Sequence, residues 1–210
     1  MSGVMPRQGV FITLEGGEGA GKSTAAGALA AMFQAEGADV LLTREPGGTA
    51  AAEAIRGLLL GDTALDPLAQ TLLHFAARAD HVAMKIRPAL AAGAIVICDR
   101  YYDSTMAYQA YGQNVDIAAV AGLIRMIGLI PDITFMLNVP EVVSRARLVA
   151  RNRPTDRYER MDGETMARIA AGFTAIAAAE PARCVVLDGT ARTEAMVAQM
   201  RGIITARTGR

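Results

Sequence analysis

The chain has no excess of charge of either sign and contains very little lysine. Its 210 residues carry 21 Lys and Arg against 21 Asp and Glu, so it offers no global basic field to a nucleic-acid polymer or to a membrane surface. Lys22 and Lys85 are the only lysines, and nearly all of the positive charge is therefore arginine. In such a sequence a single arginine is weak support for an anion site, and clusters of arginines are more informative.

Cysteines and long apolar runs are also scarce. Cys98 and Cys184 each lie in an apolar, strand-like run without a Cys or His at metal-ligand spacing, so we expect buried free thiols in a reducing compartment. No apolar run is long enough to span a bilayer, and residues 1–9 lack the apolar core of a signal peptide. These absences predict a cytoplasmic protein with a frayed N-terminal tail and with no membrane or nucleic-acid partner.

A glycine-rich loop follows the first apolar strand. The strand begins at Val10 and runs into Gly16-x-x-x-x-Gly21-Lys22-Ser23, and an Ala-rich helical stretch follows from Thr24. Glycines let successive backbone N–H groups point inward, and the following helix adds the positive end of its dipole, so such a loop binds phosphate. A chance match in a Gly-rich turn is the alternative, but the strand before the loop and the helix after it favour a nucleoside triphosphate site. The residues predicted to surround the donor phosphates are Gly16, Gly17, Glu18, Gly19, Ala20, Gly21, Lys22, Ser23 and Thr24.

Apolar strands and helical segments alternate along the chain. The predicted strands cover residues 10–15, 39–43, 94–98, 133–138 and 183–188. The predicted helices cover residues 24–36, 50–60, 67–92 with a kink or restart at Pro88, 116–127 and 163–179, and others begin near Ser104, at Pro140 and at Thr193. This alternation predicts a three-layer α/β fold of the P-loop type, in which helices cover both faces of a five-stranded parallel sheet. We expect one domain over residues 1–210.

Polar residues follow the second and third predicted strands. Residues 44–49 form the turn-rich loop Arg-Glu-Pro-Gly-Gly-Thr, and residues 99–101 are Asp-Arg-Tyr. The carboxyl ends of parallel strands meet at the edge where open α/β sheets bind ligands. A carboxylate delivered there by an apolar strand suits a metal ion, so Ser23 and Asp99 are predicted to organise Mg²⁺ directly or through water.

The helix that starts at Pro140 leads into a segment that is rich in arginine and broken by Pro154. Its arginines are Arg145, Arg147, Arg151, Arg153 and Arg157. Such a segment is either a solvated charged surface or a lid over phosphates. The phosphate loop favours the lid, which we place at about residues 149–160 and expect to be mobile.

Two classes of P-loop protein compete at this point: a phosphotransferase for a small molecule, and a nucleotide-dependent ATPase or GTPase switch. A nucleotide switch would carry a guanine-reading Asn-Lys-x-Asp motif or a water-positioning glutamine near the γ-phosphate, and the sequence contains no Asn-Lys pair. A kinase needs a second anion site and mobile arginines, and Arg44, Arg100 and the predicted lid supply candidates. We therefore favour a kinase.

The motifs together resemble those of the bacterial thymidylate kinases, which transfer phosphate from ATP to dTMP. The resemblance covers nearly the whole chain, and Arg-Glu-Pro-Gly-Gly together with Asp-Arg-Tyr is its most distinctive part. The matching segments are residues 15–23, 43–48, 76–78, 99–101, 104–105 and 107–109, followed by the arginine-rich lid. Members of the family carry an arginine either inside the phosphate loop or in the lid, and Gly19 with Arg151 and Arg153 is similar to the second kind.

The resemblance implies catalytic roles for five residues. Lys22 would hold the phosphates of ATP, Arg100 would clamp the phosphate of dTMP, and Glu18 would bind the sugar 3′-hydroxyl. Arg151 and Arg153 would neutralise the phosphoryl group as it transfers. The acceptor is a phosphate monoester whose second pKa is near ~6, so it is already a competent nucleophile and no general base is required.

The resemblance also implies an acceptor pocket. Tyr108 would fill the space beside the deoxyribose 2′ carbon, and Arg78, Thr105 and Gln109 would face the thymine edge. For Thr105 and Gln109 an ordinary helix surface or cap is the alternative. The other acceptor-site residues would be Arg44, Glu45, Pro46 and Ser104. A kinase for another nucleoside monophosphate or for a deoxynucleoside stays open, and the family suggests a homodimer.

One position departs from the family pattern, which usually places a phenylalanine four residues before the thymine-reading arginine. That position is His74 here, and Phe75 follows it. Residues three and four positions before Arg78 lie on roughly the same side of a helix as Arg78. Either the Phe75 ring or the His74 ring could therefore reach the base. The ungapped alignment favours His74. We expect neutral His74 to stack on thymine, Phe75 to pack in the core, and dTMP binding to weaken as pH falls through ~6.5.

Overall fold

The computed structural model of the protein describes residues 9–150 and 157–210. The strands are β1 (Val10–Glu15), β2 (Val40–Arg44), β3 (Ile95–Asp99), β4 (Ile133–Asn138) and β5 (Cys184–Asp188). The helices are α1 (Lys22–Ala35), α2 (Ala50–Leu60), α3 (Pro67–His81), α4 (Arg87–Ala91), α5 (Tyr102–Thr105), α6 (Ile117–Ile127), α7 (Glu141–Ala150), α8 (Gly163–Ala179) and α9 (Thr193–Thr208). The expected frayed tail, residues 1–8, and Arg151 and Arg153 of the expected lid lie outside the described residues.

The five strands form one parallel sheet in the order β2-β3-β1-β4-β5. The central strand β1 is buried along its whole length, which agrees with its mostly apolar sequence, although Thr13 and Glu15 are polar and are buried too. Asp99 at the end of β3 pairs with Leu14 of β1 on one side and with Arg44 of β2 on the other. The ends of these three strands therefore meet at one edge, and the predicted five-stranded parallel sheet is confirmed.

Helices cover both faces of the sheet. On one face Ile12 packs with Leu29 and Phe33 of α1 and with Met200 and Ile204 of α9, all of them nearly inaccessible to solvent. On the other face a second apolar cluster contains Phe11, Phe75, Val96, Tyr101 and Val120. Burial of each such side chain contributes about 1.5–3 kcal/mol. The predicted three-layer arrangement is confirmed.

A wide π-helical stretch, Val82–Ile86, separates α3 from α4. Pro88 lies in the first turn of α4. Proline has no N–H to donate, and its ring clashes with the carbonyl four residues earlier, so a regular α-helix cannot continue through it unchanged. The helix type therefore changes just before Pro88, where the sequence predicted a kink or a restart, and the backbone stays right-handed helical throughout.

A second π-helical stretch, Met106–Gly112, continues α5 and differs from the ordinary helix expected from the sequence. Its side chains Tyr108 and Gln109 are buried. The widened turn thus brings two consecutive polar side chains to the interior of the protein.

Both cysteines are buried free thiols, as predicted. Burial raises the pKa of Cys184 to about 12 and that of Cys98 well above its ordinary value. Within the described residues, none of the helices combines the length and the apolar character that a membrane span requires.

A buried ion pair joins the residue before β5 to the short helix after β3. Arg183 Nη1 donates to Asp103 Oδ2 at 2.6 Å, and Arg183 Nη2 donates to Asp103 Oδ1 at 3.0 Å. The same Nη1 donates to the Thr134 hydroxyl of β4 at 2.6 Å. Burial raises the pKa of Asp103, and the hydrogen bonds from Arg183 oppose that rise. The pair therefore fixes α5, which carries Ser104, against β4 and β5.

We expect Asp103→Asn to lower the free energy of unfolding by about 3–5 kcal/mol, because it leaves the buried Arg183 cation without its carboxylate. The matched control is Glu180→Gln, which removes a half-exposed carboxylate that contacts Arg183 from the solvent side and should cost about 0–1 kcal/mol. Urea unfolding of both variants measures the difference. Equal losses in the two variants would contradict the importance of the buried pair.

Candidate active site

The phosphate loop connects β1 to α1 in a conformation that requires glycine. Gly16 has φ +134°, and a Cβ there would lie 2.4 Å from the Leu137 carbonyl oxygen. Gly19 has φ +68°, and a Cβ there would lie 2.7 Å from the Ser144 carbonyl oxygen. Any larger residue at these two positions would both strain the backbone and collide with β4 or α7.

Lys22 is the first residue of α1, two residues earlier than the sequence predicted. Its Nζ donates to the Gly16 carbonyl at 3.0 Å and to the Gly17 carbonyl at 2.7 Å. Burial, and then the nearby Arg100 cation, lower the pKa of Lys22 to about 8. The ammonium group is therefore poorly solvated and lies at the amino end of a helix, where an anion is favoured.

Ser23 and Asp99 lie side by side below the loop, as the sequence predicted for a metal site. The Ser23 hydroxyl donates to Asp99 Oδ2 at 2.5 Å. Asp99 Oδ1 is buried and has no hydrogen-bond partner among the described residues. Mg²⁺ prefers oxygen ligands and commonly takes one or two from protein side chains. The unpartnered carboxylate oxygen beside a hydroxyl fits that ion.

Arg100 adopts φ +68° and lies between the phosphate loop and the π-helical stretch Met106–Gly112. Its Nη1 donates to the Gly16 carbonyl at 3.0 Å and to the Ser104 hydroxyl at 3.0 Å. Its Nη2 donates to Glu18 Oε1 at 2.5 Å, and its guanidinium carbon lies 5.2 Å from the centre of the Tyr108 ring. Glu18, Arg100 and Tyr108 therefore form one connected group.

Glu15, the last residue of β1, supports Arg100 from below. Its Oε1 accepts from the Tyr101 N–H at 2.6 Å, and its Oε2 accepts from the Ser104 hydroxyl at 2.5 Å. Burial, and then Asp103, raise the pKa of Glu15 to about 8. None of the sequence motifs predicted a role for Glu15. The signal available in the sequence for such a supporting role was an acidic residue at the end of a mostly apolar strand.

Arg78 lies on α3 and is almost completely buried at the other end of the cleft. Its Nε donates to Glu45 Oε2 at 2.7 Å, and its Nη2 donates to the Thr105 hydroxyl at 3.1 Å. Its Nη1 is buried and has no partner in the described part of the chain. Phe75 packs below the guanidinium, 4.7 Å from ring centre to guanidinium carbon. One donor of Arg78 is thus free to bind a polar group in the cleft.

His74 lines the cleft, whereas Phe75 belongs to the apolar core beneath it. His74 Nε2 lies 2.9 Å from the Tyr158 hydroxyl. Burial, followed by the charge of Arg78, lowers the pKa of His74 to about 3. The predicted neutral imidazole agrees with this value. The expected titration near pH ~6.5 is wrong, because burial and the nearby arginines disfavour the protonated ring and lower its pKa below that range.

Thr105, Tyr108 and Gln109 are all buried and line the same cleft. The alternative of an ordinary helix surface for Thr105 and Gln109 is therefore wrong. The Tyr108 hydroxyl donates to Glu18 Oε1 at 3.0 Å. Tyr158, which the sequence analysis missed, also lines the cleft, and its hydroxyl accepts from Gln109 Nε2 at 3.5 Å.

The loop after β2 forms the remaining wall. Glu45 is buried, and Arg44 is half-exposed and pairs with Glu53 of α2 at 3.1 Å. Pro46 lines the cleft, and its carbonyl accepts from Arg56 at 2.7 Å.

The described arginines of the predicted lid region differ in their surroundings. Arg147 of α7 donates to the carbonyls of Gly19 and Gly189, at 3.3 and 2.9 Å. Arg157 donates to the Thr63 carbonyl at 3.1 Å, and Arg145 forms an exposed pair with Glu141. The role expected for Arg151 and Arg153 stays a prediction.

These features define the class of the protein. A phosphate loop between the first strand and first helix, a serine–aspartate pair beside it, and a polar cleft at the carboxyl edge of a parallel sheet characterise a P-loop nucleotide-binding protein.

Comparison with known proteins narrows the class to one family. The family model described as Thymidylate kinase matches residues 14–200. The chain is 49% identical to the thymidylate kinase of Gluconobacter oxydans over 201 residues, which cover 93% of this chain and 94% of that protein. It is 44% identical to the thymidylate kinase of Caulobacter vibrioides over 206 residues, covering 96% and 99% of the two chains. The crystal structure of thymidylate kinase from Ehrlichia chaffeensis matches with a TM-score of 0.78 and 34% identity, covering 94% of this chain and 99% of that chain. The chain therefore belongs to the thymidylate kinase family.

The low pKa of His74 gives a prediction for the acceptor pocket. Between pH 5.5 and 8, roughly, the ratio of the dTMP KM of His74→Phe to that of the parent should stay constant, because the imidazole does not titrate there. Steady-state kinetics across this range measures the ratio, and the titration of the dTMP phosphate cancels because both proteins meet the same substrate. A parent KM that rises relative to the variant below pH ~6.5 would show that His74 is protonated and would contradict its burial in the neutral form.

Proposed function

We propose that the protein transfers the γ-phosphate of ATP to dTMP and so produces dTDP and ADP. The observation that carries this proposal is a single cleft lined by Lys22, Arg100 and Arg78. It offers a cation for the donor phosphates, a second cation for an acceptor phosphate, and a buried donor for the edge of a base. The family to which the chain belongs supports the same reaction.

The donor site is the phosphate loop, residues 16–24. The loop N–H groups and the amino end of α1 would bind the β- and γ-phosphates of ATP. Lys22 lies among them. It would stabilise the negative charge that develops on the bridging oxygen as the bond from this oxygen to the γ-phosphorus breaks. Burial supports this role, because an electrostatic contact is stronger where water is excluded.

The acceptor phosphate would bind at Arg100. In the reaction, one of its oxygens forms the new bond to the γ-phosphorus, and the alignment of the two phosphates is the main demand on the protein. Glu18 and Ser104 hold the Arg100 guanidinium in place. Glu18 also lies within reach of Tyr108, and we assign it to the sugar 3′-hydroxyl and Tyr108 to the 2′ side of the deoxyribose.

Ser23 and Asp99 are the residues that would hold Mg²⁺, and their oxygen atoms suit it. When bound, the ion would neutralise the phosphate oxygens of ATP.

The thymine base would occupy the end of the cleft that is formed by Arg78, Thr105 and Gln109. The unpartnered Arg78 Nη1 supports this placement, because it can donate to a carbonyl oxygen on the base edge. His74 would stack on the base face, and Glu45, Pro46 and Arg44 would close the pocket from the loop after β2. The hydrogen bond to Glu45 holds Arg78 in this orientation.

Three further assignments rest on the family and on the sequence. We propose one domain, residues 1–210, with a lid over about residues 149–160 in which Arg151 and Arg153 meet the transferring phosphoryl group. We also propose a homodimer and a cytoplasmic location.

The test of this function is a panel of acceptors offered with Mg·ATP: dTMP, dUMP, dCMP, dGMP and thymidine. We expect ADP release with dTMP at a kcat/KM at least about tenfold above that with any other acceptor. Coupled assay of ADP and chromatography of the product give the rate and the identity of the diphosphate.

If another monophosphate gives a higher kcat/KM than dTMP, then the pocket recognises the base of that monophosphate and not thymine. ADP release that is independent of every acceptor would instead indicate an ATPase.

A further inference from the structure

His81 is the last residue of α3, is completely buried, and takes no part in the reaction described above. Its Nδ1 lies 3.0 Å from Glu45 Oε1, and its Nε2 lies 2.8 Å from the Thr43 hydroxyl oxygen. The imidazole therefore joins the end of β2 to the loop that follows it.

Glu45 divides its two carboxylate oxygens between His81 and Arg78. Oε1 faces His81 Nδ1, and Oε2 accepts from Arg78 Nε at 2.7 Å. Arg78 in turn donates to Thr105, and its Nη1 remains without a partner in the described residues. A continuous chain of hydrogen bonds thus runs from the partly buried Thr43 through the buried His81 and Glu45 to the arginine at the base end of the cleft.

The loop after β2 is shaped around the His81 ring. Gly48 has φ +92°, and a Cβ at this position would lie 2.4 Å from His81 Nε2 and 2.9 Å from the Thr43 hydroxyl oxygen. The imidazole occupies the space that any side chain at position 48 would need. The ring is therefore held tightly, and it can hold Glu45 in turn.

The chemistry of the two contacts determines which ring nitrogen carries a proton. An ionised carboxylate only accepts hydrogen bonds, so Nδ1 must donate to Glu45, whatever the charge of the ring. The Thr43 hydroxyl can donate to Nε2 or accept from it. The essential link is therefore the bond from Nδ1 to Glu45, and the bond to Thr43 orients the ring.

We propose that His81 is a positioning residue for recognition of the acceptor base: its Nδ1–H fixes Glu45, and Glu45 aims Arg78 at the base. This inference rests on the proposed function, because it concerns the same pocket. His81 acts through two other residues and does not itself line the cleft. Its loss should consequently weaken binding of the acceptor and leave the donor site unchanged.

Two amide substitutions separate the two contacts of the ring. His81→Asn places an amide N–H near the position of Nδ1 and keeps the bond to Glu45, whereas His81→Gln places it near Nε2 and keeps only the bond to Thr43. Thr71→Val is the control for general destabilisation. Thr71 is buried in the same helix, and its hydroxyl donates only within that helix, to the Pro67 carbonyl.

We expect His81→Gln to raise the KM for dTMP about tenfold, the effect of losing one hydrogen bond to a charged group. His81→Asn should stay within about threefold of the parent, and Thr71→Val should match the parent. The KM for ATP and kcat should change less than about twofold in all three, because Arg78 contributes binding that is equal in the ground and transition states. The preference for dTMP over dCMP should shrink only in His81→Gln.

A dTMP KM that is equal in His81→Asn and His81→Gln would overturn the proposal, as would equal increases in the KM values for dTMP and ATP, which indicate a merely structural role. The parent provides a second test that does not depend on folding of the variants. Nitrogen-15 NMR of labelled histidine should show a proton on Nδ1 of His81, and a ring protonated only on Nε2 would also overturn the proposal.

Failure of the proposed function gives a different result. If the parent does not phosphorylate dTMP, the reaction is wrong, and a proton on Nδ1 would still support the His81–Glu45–Arg78 chain as the support of a pocket for another acceptor.

Discussion

The Arg100 guanidinium holds together the two halves of the cleft, which are the phosphate loop and the helical segment after β3. It binds the phosphate loop through the Gly16 carbonyl and through Glu18, and it binds the helix after β3 through Ser104. Burial alone would lower the pKa of Arg100, but Glu18, Tyr108 and Asp99 raise it above its ordinary value. A buried cation must be paired to be tolerated. The surrounding acids therefore both stabilise Arg100 and hold it where an acceptor phosphate would bind.

The rest of the site follows from this concentration of charge. Lys22 is buried close to Arg100, and Glu15 is buried below it, so the pKa of each is displaced to about 8. Opposite displacements of a base and an acid in one small volume are typical of a functional site. The low effective dielectric there strengthens every contact with a phosphate. The buried pair of Asp103 and Arg183 fixes the same helix against β4 and β5.

The strands and the phosphate loop were predictable because local patterns determine them. Mostly apolar runs such as residues 133–138 coincide with an observed strand, and Pro88 lies just after the point where the helix type changes. The contacts of Glu15 and His81 were not predictable, because both residues bind partners that are distant in the sequence. The fold of the sheet brings these partners close. The pKa of His74 was wrongly predicted for the same reason, because its burial and its proximity to Arg78 follow from the tertiary structure. The Met106–Gly112 π-helical stretch has no sequence signature that we recognised.

The claim that Arg100 recognises the acceptor phosphate is tested most directly by calorimetric binding of dTMP and of thymidine to the parent and to Arg100→Gln. Glutamine keeps a hydrogen-bonding side chain at this strained backbone position but removes the charge. We expect the variant to lose at least about thirtyfold in affinity for dTMP and to bind thymidine within a few-fold of the parent. An unchanged ratio of the two affinities would place the phosphate elsewhere and contradict the account.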